Sequence, residues 1–214
     1  SCKKIFCYSE KIKNFPDELK SKIIIINPLV KKNIYNLKKL KKIKDEFTLL
    51  IVGGSQGANI FDGSLKKTIV NISKKITIKI IQQTSEKNIN SLTDYYLKNR
   101  IESKIFSFDK DFTQYIQEAD LCITRAGAST LAELSFMNTP FIAVPLPTSK
   151  DNHQMENANF YKENNGCWII EQINFEEKIE QLLLNVLNNK SDYLNKKENL
   201  KKLNYQNTWI NVNQ

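Results

Sequence analysis

The chain has 214 residues, 41% of them hydrophobic, and a formal net charge of +9. That length and apolar content fit one large domain, or one domain joined to part of another, with a substantial core. No apolar run reaches the roughly 18 residues of a membrane span. The start, Ser1-Cys2-Lys3-Lys4, has no signal-peptide architecture, and the lack of an initiator Met suggests a truncated or excised chain. Cys2, Cys7, Cys122 and Cys167 show no metal-binding spacing; Cys122 and Cys167 lie in apolar runs and read as buried thiols of a reducing cytoplasm. The positive charge is mostly Lys and reads as solvated surface, permitting an anionic partner such as a membrane face. Aromatics do not interleave with the lysines, so no nucleic-acid partner is expected.

In chain order, residues 4–8 and 22–26 read as buried strands of parallel type, and Asn27-Pro28 breaks the pattern. Residues 31–44 hold seven lysines and no acid, with Ile34, Leu37, Leu40 and Ile43 three apart. This is an amphipathic helix or a charged linker that hinges into the main domain. Phe47–Val52 is a continuous apolar strand running into Gly53-Gly54-Ser55-Gln56-Gly57-Ala58, after which a helix extends to about Ser73. Strand, glycine turn and helix form a phosphate-approach geometry, but the spacing is neither G-x-G-x-x-G nor a P-loop, which disfavours NAD and ATP.

Strand 76–82, helix 86–98 and strand 104–108 follow, and Asp109 and Asp111 open the next helix. Leu121-Cys122-Ile123 is a buried strand feeding a helix through Thr124-Arg125-Ala126-Gly127-Ala128-Ser129. Backbone N–H groups in that turn, backed by the helix's positive end, make a ready anion site. Glu133, one turn on, is placed to accept two hydroxyls of a sugar. Strand 140–145 leads through a polar loop to a helix at His153 that runs to about Asn164, where Gly166 stops it. A strand at 167–170, a helix at 175–188 and a Lys/Asn-rich helical tail from Lys190 complete the chain. Trp168 and Trp209 read as core and tail anchors.

Alternating strands and helices at this spacing describe a doubly wound α/β domain with a parallel sheet, and such sheets bind ligands at the carboxyl ends of their strands. Loops 53–58, 82–85, 108–112, 124–130 and 147–154 all follow strands on that edge, so one nucleotide crevice accommodates them all. The one Asp-x-Asp, Asp109-Lys110-Asp111, reads as the opening of a helix, and carboxylates do not otherwise cluster near the loops, so neither metal nor cofactor is expected.

Three ordered motifs, Gly53–Ala58, Arg125–Glu133 and Pro145-Leu-Pro147 with Asn152-His153-Gln154 and Asn157-Ala158, resemble the UDP-sugar domain of the MurG family. These are N-acetylglucosaminyltransferases of peptidoglycan synthesis, GT-B glycosyltransferases of family 28. The resemblance covers roughly residues 22–188. It implies a GT-B C-terminal domain of Rossmann-like build: residues 1–30 as a remnant of the acceptor (N-terminal) domain and crossover, 31–46 as a basic linker, 47–188 as the UDP-sugar-binding domain and 189–214 as a helical tail. It also implies that Ser55, with Gln56 and Gly57 of the same turn, touches the donor diphosphate or sugar. Phe108 and Asp109 would line a uracil pocket, and Gly127, Ala128, Ser129 and Thr130 would face the phosphates. Glu133 would hold the ribose, and His153 and Gln154 the N-acetylglucosamine hydroxyls.

The family places an arginine two residues past the proline of its Asn-Pro; here Val30 and then Lys31 and Lys32 stand there, leaving that phosphate contact to a lysine if it is made. Nothing matches the family's amino-terminal domain, which is expected to carry the catalytic base and the lipid acceptor site. The catalytic residue is therefore unassigned, and the chain reads as a donor half, inactive alone. Implied partners are UDP-N-acetylglucosamine, lipid I through the absent domain, and the cytoplasmic face of the bacterial inner membrane as a peripheral site. Rival readings are a nucleotide-sugar-binding subunit, a transferase of another UDP-sugar, and a UDP-sugar epimerase.

Overall fold

The computed structural model describes residues 2–8, 12, 15–37, 46–54, 59–110 and 112–203. Six strands, β3 (Phe47–Val52), β4 (Ile78–Gln83), β5 (Glu102–Phe106), β6 (Leu121–Thr124), β7 (Phe141–Ala143) and β8 (Cys167–Ile169), form one parallel sheet in the order β5-β4-β3-β6-β7-β8. The near-continuous apolar runs of β3, β6 and β7 follow from burial on both faces, whereas β5 at the sheet edge is half exposed and carries Glu102 and Lys104. Leu49 and Ile51 turn to one side and Leu50 and Val52 to the other, each into a separate core.

The first face is covered by α1 (Lys66–Ser73), α2 (Ile89–Lys98) and α6 (Phe175–Asn188), through Ile69, Leu92, Tyr96 and Ile179. The second is covered by α3 (Phe112–Glu118), α4 (Ala128–Phe136), α5 (His153–Glu163) and α7 (Lys190–Lys202), through Ile116, Leu131, Leu134, Tyr161 and Leu200. In α6 the buried positions Phe175, Ile179, Leu183 and Val186 recur every three or four residues, and Glu176 and Glu177 sit in the first turn against the helix dipole. Among the described residues no helix is long and apolar enough to cross a membrane. Buried Cys122 and Cys167 have thiols pushed up by desolvation, that of Cys167 to about 12.

Several expectations are corrected. Strands β1 (Ile5–Cys7) and β2 (Ile23–Ile25) do pair in parallel, but as a separate two-stranded sheet that is not buried: Phe6, Ile24 and Ile25 are exposed. Strand β5 lies two residues earlier than the 104–108 run suggested, so Phe108 is beyond its end. Asp109 does not open a helix; it accepts a hydrogen bond from the Tyr115 hydroxyl of α3, and Asp111 lies outside the described residues. Of the 31–44 stretch, Lys32–Asn36 forms a 3-10 turn and residues 38–44 lie outside the described residues, as does Trp209. Trp168 is half-buried, its indole donating to Asp192.

The stop after α5 is set by Asn165, which takes the left-handed conformation (φ 49°), rather than by Gly166. Gly166 is needed for space: a Cβ there would lie 2.7 Å from Leu200 Cδ2 and 3.3 Å from the Tyr161 carbonyl. Leu200 is fully packed, so Gly166→Ala is expected to destabilise the domain by about 1–3 kcal/mol, read as a lowered midpoint in urea unfolding.

Candidate functional site

From β3 the chain winds outward through β4 to β5, and from β6 it winds the other way through β7 to β8. The order therefore reverses between β3 and β6, and a crevice opens outside their carboxyl ends. Val52 stands opposite Thr124, and Arg125 N–H donates to the Val52 carbonyl at 3.1 Å, so the two glycine-containing turns leave the sheet side by side. Gly54 has φ +64°, a conformation that favours glycine, and its N–H donates to Gln83 Oε1 at 3.1 Å. Gln83 Nε2 in turn donates to the Ser107 carbonyl, tying the ends of β3, β4 and β5 together.

Beneath this lies a π-turn, Phe61–Leu65, that leads into α1. The buried Asp62 carboxylate on it accepts hydrogen bonds from Gln82 Nε2 (3.0 Å), Thr84 Oγ1 (2.6 Å) and Asn88 Nδ2 (2.9 Å). Tyr96 donates to Gln82 Oε1, and burial with the Asp62 charge holds its phenol well above the ordinary range.

Helix α4 begins at Gly127, which is extended (φ −69°, ψ 131°) and offers no side-chain cap. The N–H groups of the first turn lack intrahelical partners, and Ala128 and Ser129 are exposed at the crevice. Behind them Arg125 is 8% exposed, with no carboxylate partner among the described residues. Its Nη1 donates to the Val144 carbonyl (3.1 Å) and its Nη2 to Gln172 Oε1 (2.7 Å), the guanidinium lies 5.5 Å from the Phe61 ring, and Nε is left without a hydrogen bond. Burial lowers its pKa. A buried cation and an uncapped helix N-terminus together favour an anion outside.

Asp151 and Asn152 both take left-handed conformations (φ 50° and 56°) just before α5, a strained pair that aims the start of the helix at the same edge. Exposed His153 uses Nδ1 toward the Lys150 carbonyl at 2.7 Å; a carbonyl only accepts, so Nδ1 carries the proton and Nε2 is left as an acceptor in the neutral ring. Gln154 Oε1 accepts from Ala126 N–H (3.1 Å) and Leu146 N–H (3.0 Å), and Asn157 donates to the Ala126 carbonyl (3.0 Å), locking the two loops. A cavity of about 340 Å³ opens beside this cluster, lined by Ala128, His153 and Asn157 on one side and by Tyr8 and Pro28 on the other. Asp151, Glu156 and Glu163 also line it, which suits neutral hydroxyls better than phosphate.

Of the residues singled out in the sequence, Gly127, Ala128, Ser129, Thr130, His153 and Gln154 converge on one edge. Phe108 is 79% exposed past the end of β5, an aromatic face open to a planar ligand, with Asp109 beside it. Glu133 is more withdrawn than its spacing implied: it is 3% exposed, and its partner is Lys31 Nζ at 3.6 Å. Burial raises its pKa, and Lys31 offsets part of that rise. Ser55, Gln56 and Gly57 lie outside the described residues. Roles for Asp62, Gln83 and Arg125 were not foreseen; a charge directly after a buried strand was the available signal for Arg125. Among the described residues no group of three or more His, Cys, Asp or Glu is placed to hold a metal ion.

The glycosyltransferase family 28 C-terminal domain matches residues 48–208. The chain belongs to this family. A Pelagibacter ubique protein named UDP-N-acetylglucosamine–N-acetylmuramyl-(pentapeptide) pyrophosphoryl-undecaprenol N-acetylglucosamine transferase is 49% identical over 213 residues, 99% of this chain and 60% of that protein. A Rickettsia canadensis protein of the same name is 37% identical over 193 residues, 87% of this chain and 54% of its own length. The chain thus spans little more than half of the relatives it matches. The crystal structure of Acinetobacter baumannii MurG superposes with a TM-score of 0.77 at 22% identity, covering 98% of this chain and 59% of that one, and shares its fold.

Proposed function

We propose that this chain is the donor-binding part of an inverting family 28 transferase that moves N-acetylglucosamine from UDP-N-acetylglucosamine to lipid I (undecaprenyl-pyrophosphoryl-MurNAc-pentapeptide), giving lipid II. The observation that carries the reading is the uncapped N-terminus of α4 at the reversal point of the sheet, with the buried Arg125 behind it. There the diphosphate meets the N–H groups of Gly127, Ala128, Ser129 and Thr130. Phe108 and Asp109 bound the uracil, Glu133 takes the ribose hydroxyls, and His153 and Gln154 address the sugar. The acceptor hydroxyl attacks the anomeric carbon from the opposite face, the bond to the diphosphate breaks, and the charge gathering on leaving UDP is stabilised by oriented backbone dipoles. The acceptor site and the base that takes its proton belong to a separate domain, for which the exposed sheet of β1 and β2 forms the junction. The relatives' names and the net charge of +9 support a peripheral place on the cytoplasmic membrane face.

Calorimetric titration with UDP-N-acetylglucosamine, UDP-galactose and UDP tests the reading. The first and third are expected to bind, galactose to weaken binding, and Glu133→Gln to cost about 1–3 kcal/mol. A folded chain that binds none of the three overturns it.

A further inference from the structure

Pro28 and Val30 are buried, and Ile34 is fully so; Val30 and Ile34 insert into the core beneath α3, α4 and α5. Lys31 sits between these two anchors, and its carbonyl accepts from Ile34 N–H at 3.0 Å as the 3-10 turn Lys32–Asn36 begins. Its backbone is therefore fixed by packing although its side chain is mostly exposed. That side chain reaches α4 and places Nζ 3.6 Å from Glu133 Oε1. The two ends of the pair differ sharply: the Lys31 side chain is 63% exposed and that of Glu133 5%. Among the charges on the elements packed against α4, Glu118 of α3 pairs with Lys79 and Lys196 of α7 with Asp192, and Glu156 and Glu163 of α5 line the cavity. Lys162 of α5 and Lys190, Lys197, Glu198, Lys201 and Lys202 of α7 form no ion pair with Glu133 among the described residues. Among the described residues Lys31 is the one cation paired with Glu133.

We propose that Lys31 is a positioning residue that holds the Glu133 carboxylate ionised and aimed at the vicinal hydroxyls of the nucleotide's ribose. The inference rests on the donor-site reading and adds a residue from the segment preceding the parallel sheet to its sugar-recognition machinery. A carboxylate offers two acceptor oxygens to two hydroxyls and makes charge-assisted bonds; a neutral carboxyl offers weaker ones. Burial alone pushes the Glu133 carboxyl toward the neutral form, and the ammonium opposes that push. Without Lys31 the carboxyl keeps its burial and loses its counter-ion, so it takes up a proton at higher pH than in the parent. Ribose recognition should then weaken as pH falls.

The experiment compares UDP with 2′-deoxyuridine diphosphate, which lacks one hydroxyl of the pair, by calorimetry between about pH 6 and about pH 8. The parent should prefer UDP throughout this range. Lys31→Met should keep the preference at the upper end and lose about tenfold of it at the lower end, and Lys31→Arg should restore the parent profile. Lys31→Met affinities that fall equally for both nucleotides, with no pH-dependent change in their ratio, would place the lysine on the phosphates and overturn the inference. So would a Lys31→Met profile parallel to the parent's. A parent that binds UDP without preferring it over the deoxy compound removes Glu133 from ribose recognition, and the inference with it; a parent that binds neither overturns the donor-site reading itself.

Discussion

Asp62→Ala is expected to lower the unfolding free energy by about 3–5 kcal/mol. Among the described residues the carboxylate is the one acceptor that Gln82 Nε2, Thr84 Oγ1 and Asn88 Nδ2 share, and Gln82 and Thr84 are themselves buried. Alanine leaves two donors stranded in a dry interior and a third half-stranded, and each stranded donor costs about 1–3 kcal/mol. Asp62→Asn keeps one acceptor oxygen and turns the other into a donor facing donors; about half the loss is expected from it. Urea unfolding of both variants gives the ranking. The network also ties the π-turn to the end of β4, where Gln83 holds Gly54. Loosening it should therefore weaken UDP binding in molecules that are still folded, by relaxing the strand ends around the glycine turn. If Asp62→Ala unfolds at the parent's midpoint, the hydrogen bonds around it are not contributing and the support role is wrong.

The parallel sheet was readable because strands buried on both faces are near-continuously apolar, as in the short runs Phe47–Val52 and Leu121–Thr124, where threonine is the one polar residue type. The pairing of glycine turns with following helices then placed the crevice, since the crossover rule puts all such turns on one edge. What composition does not encode is what each side chain meets. Ile23–Ile25 is as apolar as any core strand, yet it is exposed because only β1 pairs with it among the described residues. Gly166 follows a helix and looks like its stop, but Asn165 tolerates the left-handed conformation and Gly166 answers instead to Leu200, thirty-four positions away in sequence. Glu133 has the spacing of a residue at the crevice mouth; its burial depends on helix packing, and its pairing on Lys31 from a basic segment whose sequence points to no carboxylate partner. Arg125 and Asp62 form their contacts with residues up to 47 and 26 positions distant, separations at which no local pattern operates.

Ala128→Pro separates the anion site from the stability of the helix that makes it. Ala128 is the first residue of α4, where a backbone N–H has no intrahelical partner and proline's fixed φ already suits the helix. The preceding Gly127 has ψ 131°, inside the range that proline imposes on its neighbour, so the substitution introduces no backbone conflict. The Leu131 N–H to Gly127 carbonyl bond, which closes the first turn, is untouched. The melting temperature should stay within about 2 °C of the parent's, or rise slightly as the unfolded chain loses freedom. At the crevice, however, the same change deletes one of the N–H donors and puts a ring where phosphate oxygens would approach. A hydrogen bond to a charged group contributes about 1.5–3 kcal/mol, so UDP affinity should fall about 10- to 100-fold. Uridine, which has no phosphate, should bind the variant and the parent alike. Parallel calorimetric titrations with the two ligands, on samples shown to melt together, decide the matter: undiminished UDP binding would mean that the diphosphate lies away from α4, and equal losses for UDP and uridine would mean that the proline has distorted the crevice as a whole.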